Sequence, residues 1–393
     1  MSARYDVVVV GGGIHGVGIA QAAAAAGHSV LVLEQSSLAA GSSSRSSKLI
    51  HGGLRYLESG QLRLVHESLR ERALMLRLAP ELVQLQKFYI PLYENSRRKS
   101  WQLRIGLSLY ALLAGLDSTA RFGTVPRGEW GSLDGLDVQG LRQVFWYHDA
   151  QTDDALLTGA VMRSAQSLGA ELAMPARCTG ASLTPDGVQV RYEQHGAPQE
   201  CAARVLINAA GPWAETLART ITPAISVPPL ELVQGTHLLL NEPPRRGVYY
   251  LESPRDGRAI FVMPFRGQLM VGTTEVRFHG DPSTVAPGPY EVHYLLGVLR
   301  HYFPRFRDAA ESQLRGEFAG LRVLPAGGGH AFHRSRETML VPDRNARPRV
   351  LSIYGGKLTT WRAVSARVLA QIAPSLPARE PRARTDRLAL HPA

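Results

Sequence analysis

Residues 6–10, DVVVV, make a nearly unbroken apolar run, and GGGIHG follows with no spacer. A run of this kind reads as a strand buried on both faces. The predicted helix begins inside the glycine stretch, continues through the Ala-rich VGIAQAAAAAG and closes at Gly27, where a helix C-cap is expected. SVLVLE then supplies a second strand that ends at Glu34. Strand, glycine turn, helix and strand in this order define a parallel βαβ unit of the Rossmann type.

Within that unit Gly11, Gly13 and Gly16 satisfy GxGxxG. They provide a tight turn, close backbone approach to a pyrophosphate, and close packing of helix on strand. The positive end of the helix then faces the phosphates. Glu34 can accept hydrogen bonds from both ribose hydroxyls and would repel a 2′-phosphate, which disfavours NADP. The following loop, Ser42 to Lys48, offers hydroxyls from residues that include Ser43 and Ser46, and cations from Arg45 and Lys48. This suits a long ligand lying across the domain, as does the pair Gly355–Gly356 before Lys357, so non-covalent FAD is expected rather than NAD. The expected fold class is α/β: a Rossmann-type FAD-binding domain with an interleaved mixed or antiparallel-sheet substrate domain.

A chain of 393 residues can bury a sizeable core, and its 45% hydrophobic and 20% charged residues are ordinary for a globular protein. The formal charge of +11 favours anionic partners. Nucleic acid is not expected, because no nucleic-acid motif or aromatic-basic interleaving occurs. The opening MSARYDVVVV lacks the features of a secretory signal, and Cys178 and Cys201 form no CxxC pair, so a cytoplasmic setting is expected. No apolar run reaches the ~18 to 20 residues that span a bilayer. Residues 97–115, RRKSWQLRIGLSLYALLAG, place cations and a Trp before an apolar helix, a pattern suited to an anionic membrane surface. His330 and His333 lack companion ligands at metal spacing, so no metal is expected.

Strands are predicted at GVQVRYEQ, RVLINAAG, THLLL, AIFVMPF, QLMVGTTEV and RVLSIYGG. The expected division is a discontinuous FAD-binding domain over 1–75, 150–215 and 320–375, and a substrate domain over 76–149 and 216–319. A Pro/Arg-rich tail over 376–393 reads as a solvated terminus.

The chain resembles the FAD-dependent glycerol-3-phosphate dehydrogenases. The resemblance runs from VVVVGGGIHGVGIA through SSRSSKLIHGGLRYLE, YHDAQTDDALL, NAAGPW, VQGTHLLL, VGTTEV and GLRVLP to YGGKLTTWR, in family order. SSKLIHGGLRYLE and GGKLTT are its most specific parts. It implies oxidation of sn-glycerol 3-phosphate to dihydroxyacetone phosphate, hydride transfer to the flavin, and electron transfer to quinone. It also implies attachment to the inner face of the cytoplasmic membrane and leaves a homodimer open. By the same resemblance Arg55, Tyr56, Arg322, Arg336 and Lys357 gather around the substrate phosphate, and Thr273 and Thr274 line its pocket. Leu49, Gly211, Gly356, Lys357, Leu358 and Thr359 join the cofactor site. His237 and His51 are the candidates for the base that takes the hydroxyl proton, and Arg322 could stabilise the developing alkoxide.

Four positions depart from the family pattern: Ala22 for aspartate, Gln234 for lysine, Glu275 for aspartate and Trp361 for tyrosine. The family's C-terminal helical domain is not expected in this chain. Two alternatives stay open: an FAD-dependent oxidase or dehydrogenase of another 2-hydroxy or 2-amino acid, and a non-catalytic FAD-binding sensor.

Overall fold

A computed structural model describes residues 3–308, 311–326 and 338–392. Its α-helices are α1 (Ile14–Ala25), α2 (Leu62–Leu78), α3 (Ser100–Leu113), α4 (Asp154–Ser167), α5 (Ala214–Ala218), α6 (Pro289–Tyr302) and α7 (Trp361–Ile372).

The strand Ala3–Val10 sits between two parallel neighbours, Val30–Leu33 and the C-terminal half of Ala197–Asn208. Glu171–Ala173 extends the sheet on one side and Val350–Tyr354 on the other, both again parallel. Alternation along the first strand distributes its valines to two cores. Val7 and Val9 face α1, α4 and α7, packing with Ile19, Ala23, Leu157, Val161 and Val364. Val8 and Val10 face the other way, toward Ala181, Val188 and Val190. Those residues belong to an antiparallel meander of Ala176–Thr184, Gly187–Gln194 and the first half of Ala197–Asn208.

The second sheet is larger and mostly antiparallel. Toward one edge Leu230–Leu240 pairs with Gln268–Gly272, Val276–Phe278 and Leu314–Pro325. Ala259–Phe265, Val248–Glu252, Val83–Tyr93 and Leu141–Thr152 continue it, with one parallel join between Val83–Tyr93 and Val248–Glu252. Leu295 and Leu299 of α6 cover one face, and Val65 and Leu69 of α2 with Leu103 and Leu107 of α3 cover the other. The boundaries placed at 150 and 320 from the sequence both fall inside strands of this sheet, Leu141–Thr152 and Leu314–Pro325, whose ladders run unbroken across them.

The tail is not a solvated terminus. The Arg382 and Ala383 amides donate to the Ala25 carbonyl, the Leu390 amide donates to Leu78, and Leu390 is buried in the core formed by α1 and α4. Arg379 reaches Asp6 at 3.1 Å. Most of the tail's residues stay exposed, but these contacts dock the stretch on the ends of α1 and α2, which composition alone does not reveal.

Candidate active site

A cavity of about 560 Å³ opens where the two sheets meet, within the roughly 300–1,000 Å³ of small-molecule and cofactor pockets. Its wall includes Gly11, Gly13, Glu34, Ser43, Ser46, Leu49, Gly211, Gly356, Lys357, Leu358 and Thr359. The glycine loop is tight: a β-carbon on Gly16 would collide with the Gly11 carbonyl oxygen, so α1 can start this close to the strand only with glycine there. Gly13 caps α1 without a side chain, and the Ile14 amide donates to Ser43 Oγ at 2.9 Å. At the end of the second strand Glu34 accepts from the Gly12 amide at 2.7 Å and from the Ser36 amide at 2.8 Å. Oε1 also accepts the Ser36 hydroxyl at 3.2 Å, while Oε2 retains a lone pair for a ligand hydroxyl. Two helix starts, α1 and α7, also converge on this region and direct positive dipole ends toward it. A carboxylate for ribose, the positive end of a helix for a diphosphate and a long cleft match the donor set that FAD requires.

A polar cluster occupies the far end of the wall. Lys357 donates to Ser68 Oγ of α2 at 3.0 Å, and its ammonium lies 4.6 Å from the centre of the Tyr56 ring. The His51 amide donates to Thr359 Oγ1 at 3.1 Å, and the Thr359 hydroxyl donates back to the His51 carbonyl at 3.2 Å. This exchange ties the HGGLRY loop to GGKLTT. His51, Tyr56, Lys357 and Arg322 all reach the wall, whereas the Arg55 guanidinium lies 5.3 Å from the Tyr56 ring centre, outside it. Arg322 donates to Glu275 at 3.1 Å and to Thr273 Oγ1 at 3.2 Å. Glu275, one of the departures from the family pattern, thus places negative charge directly beside the Arg322 cation.

His237 is buried behind the wall. Its ring stacks on Phe318 with centroids 4.9 Å apart, and Nε2 meets the hydroxyl of Ser47, a wall residue, at 3.0 Å. Burial holds the imidazole well below its usual pKa, and the charges of Arg322 and Lys48 push the same way. The ring is therefore held neutral beside the Ser47 hydroxyl.

Two predicted site residues are committed elsewhere. The Lys48 ammonium turns from the cavity into a buried ion pair with Asp154 at 2.7 Å, over the rings of Phe265 and Phe318. A carboxylate shut away from solvent needs such a cation. Thr274 is buried below the wall, its hydroxyl donating to Glu291 and accepting from the Thr236 amide at 2.8 Å. Gln234 also donates to Glu291 and to the Ala286 carbonyl, so neutral donors gather on that carboxylate. Arg336, His330 and His333 lie outside the described residues.

Sequence reasoning placed Ser47 in the hydroxyl-rich loop without a role of its own, and missed His15 and the acids of YHDAQTDDALL. Asp154 holds Ser46 as well as Lys48, Asp153 caps α4 and pairs with Arg266, and Asp149 binds Arg72. Three acids in six residues carried the signal, since buried carboxylates imply partners.

On the outside, α3 presents Trp101, Ile105 and Leu112 to solvent. Among the described residues no helix is long and apolar enough to cross a membrane.

Comparison with known proteins agrees with this geometry. A family model described as FAD dependent oxidoreductase matches residues 6–371. The chain is 36% identical to a glycerol-3-phosphate dehydrogenase of Pseudomonas aeruginosa, over 94% of this chain and 72% of that one. It is 32% identical to a D-erythritol 1-phosphate dehydrogenase of Brucella abortus, over 92% and 72% of the two chains. Among solved structures, the FAD complex of a glycerol-3-phosphate dehydrogenase from Bacillus halodurans superposes with a TM-score of 0.76 at 26% identity, covering 98% of this chain and 68% of that one.

Proposed function

Starting from a chain that belongs to the FAD-dependent oxidoreductase family, in its glycerol-3-phosphate dehydrogenase branch, we propose that it oxidises the C2 alcohol of sn-glycerol 3-phosphate to dihydroxyacetone phosphate and delivers the electrons to a quinone at an anionic membrane surface. Bound FAD supplies the hydride acceptor. The observation that carries the reading is the presence of both Arg322 and Lys357 on the wall of the cavity that also contains the glycine loop. One end of that cavity suits a dinucleotide, and the other is cationic enough for a phosphate monoester.

In this reading Lys357 and Arg322 draw the phosphate-bearing substrate in, and Tyr56 and Thr359 shape the floor beside it. The hydroxyl proton leaves the substrate for Ser47 Oγ as the Ser47 proton moves to His237 Nε2, which is neutral and within hydrogen-bond reach. The Phe318 stack keeps the imidazole in that orientation. Arg322 opposes charge build-up on the substrate oxygen, and Glu275 limits how strongly it does so. The outward face of α3 supports membrane contact.

Anaerobic mixing of the oxidised holoprotein with glycerol 3-phosphate tests the proposal, with D-erythritol 1-phosphate, glycine, sarcosine and 2-hydroxyglutarate in parallel. Glycerol 3-phosphate is expected to bleach the flavin fastest, and Arg322→Ala to weaken its apparent affinity at least tenfold. Bleaching dominated by an amine or by 2-hydroxyglutarate would reject the substrate assignment, and no bleaching by any of them would point to a sensor.

A further inference from the structure

His15 has no role in the reading above, yet it sits on the first turn of α1 and lines the cavity. Its Nε2–Cε1 edge lies against the backbone of Gly356, another wall residue, where a β-carbon would collide with it. Nδ1 is sealed from solvent and makes no hydrogen bond. Burial is the main cause, with the nearby Arg367 charge adding to it, that lowers this imidazole to a pKa of about 4. A neutral imidazole carries one N–H donor and one acceptor nitrogen. With Nδ1 sealed, a ligand in the cavity can meet this ring only at its Nε2–Cε1 edge, beside Gly356. A core filler at this position would be apolar, and a surface histidine would face water; His15 does neither.

We propose that His15 is a cofactor-binding residue, whose Nε2–H donates a hydrogen bond to an oxygen of the FAD segment held between the start of α1 and Gly355–Gly356. The bond is a neutral donor's, so it orients the cofactor and polarises it without adding a full charge beside the diphosphate. His15 and Gly356 then act as a pair: the missing side chain at Gly356 is what admits the ring to the wall.

The test uses FAD itself and needs no substrate, so it stands apart from the substrate assignment. Apoprotein prepared from the wild type, His15→Asn, His15→Leu and His15→Ala is titrated with FAD by fluorescence, and the visible spectrum and midpoint potential of each reconstituted protein are recorded. Loss of the donor in His15→Leu is expected to weaken FAD binding about tenfold, the ~1.4 kcal/mol of one hydrogen bond, and to shift the visible band and the potential. His15→Asn, which restores an N–H, should stay within about threefold of wild type. Equal affinity, spectrum and potential in His15→Leu and wild type would overturn the proposal. If the His15→Leu apoprotein melts early, His15→Ala against His15→Asn decides by the same criteria.

Discussion

Tyr110, on the inner face of α3, donates its phenolic hydrogen to Asp149 at 2.7 Å, while its oxygen accepts the Gly52 amide hydrogen at 2.9 Å. Arg72 holds the same carboxylate at 2.7 Å, and Asp149, Arg72 and Tyr110 are all buried. Burial pushes the Asp149 carboxyl up, and Arg72 opposes that shift. Helices α2 and α3 therefore jointly fix the backbone that carries His51 and Tyr56 to the cavity wall.

Tyr110→Phe leaves the Gly52 amide without its nearest acceptor and removes one donor from Asp149. The expected loss is about 1–3 kcal/mol of stability, measured by urea denaturation. Because the loop lies on the substrate side of the cavity, KM for glycerol 3-phosphate should rise while the affinity for FAD stays near wild type. An equal loss of both would mean that Tyr110 supports the whole domain and not this loop.

Trp361 explains itself through Gly18. A β-carbon on Gly18 would lie 2.6 Å from the indole Cε3, and Trp361 is buried against α1. The absence of a side chain at Gly18 is what gives the indole room against α1. Gly18→Ala should cost about 1–3 kcal/mol by overpacking, outweighing the roughly 1 kcal/mol that alanine offers in a helix. Thermal melting of the apoprotein checks the sign, and a stabilised variant would show that the helices can part.

The βαβ unit was legible because its signals are local: an apolar run, a glycine turn and a helix within some thirty residues. FAD followed from the same stretch. The partners of Lys48, Tyr110 and Leu390 were not, since each meets its counterpart through folding. Lys48 pairs across 106 positions with Asp154, and Leu390 fills a gap beside α2 that no composition rule describes. His15 was hidden for a different reason. It sits inside the fingerprint, where the glycines drew all the attention.

His237 should give the pH dependence an unusual acid limb. An unperturbed histidine titrates near 6.5, and burial with Arg322 and Lys48 holds this one well below that value. A base must be unprotonated, so kcat/KM for glycerol 3-phosphate should stay level as pH falls through 6.5 and decline only further down. Replacing Arg322 by Met removes one of the two neighbouring cations and should move the decline to higher pH. A wild-type limb centred at or above 6.5 would shift the role of base to His51.

Membrane contact is best tested on the outer face of α3. At 100° per residue Trp101, Ile105 and Leu112 fall within about 40° of one another, and they are 63%, 59% and 61% exposed. Leu103, Leu107 and Tyr110 on the inner face are buried in the core. The cations before the helix are not equivalent as probes. Arg98 is bonded to both Glu58 and Glu252, so its removal would disturb the fold, while Lys99 is exposed. Replacing Trp101, Ile105 and Leu112 together by Ser should abolish flotation with anionic liposomes and leave flavin reduction by glycerol 3-phosphate intact. Lys99→Ser alone should weaken binding about fivefold, the ~1 kcal/mol of one cation near an anionic surface. A triple variant that floats like wild type would place the contact on another face of the molecule.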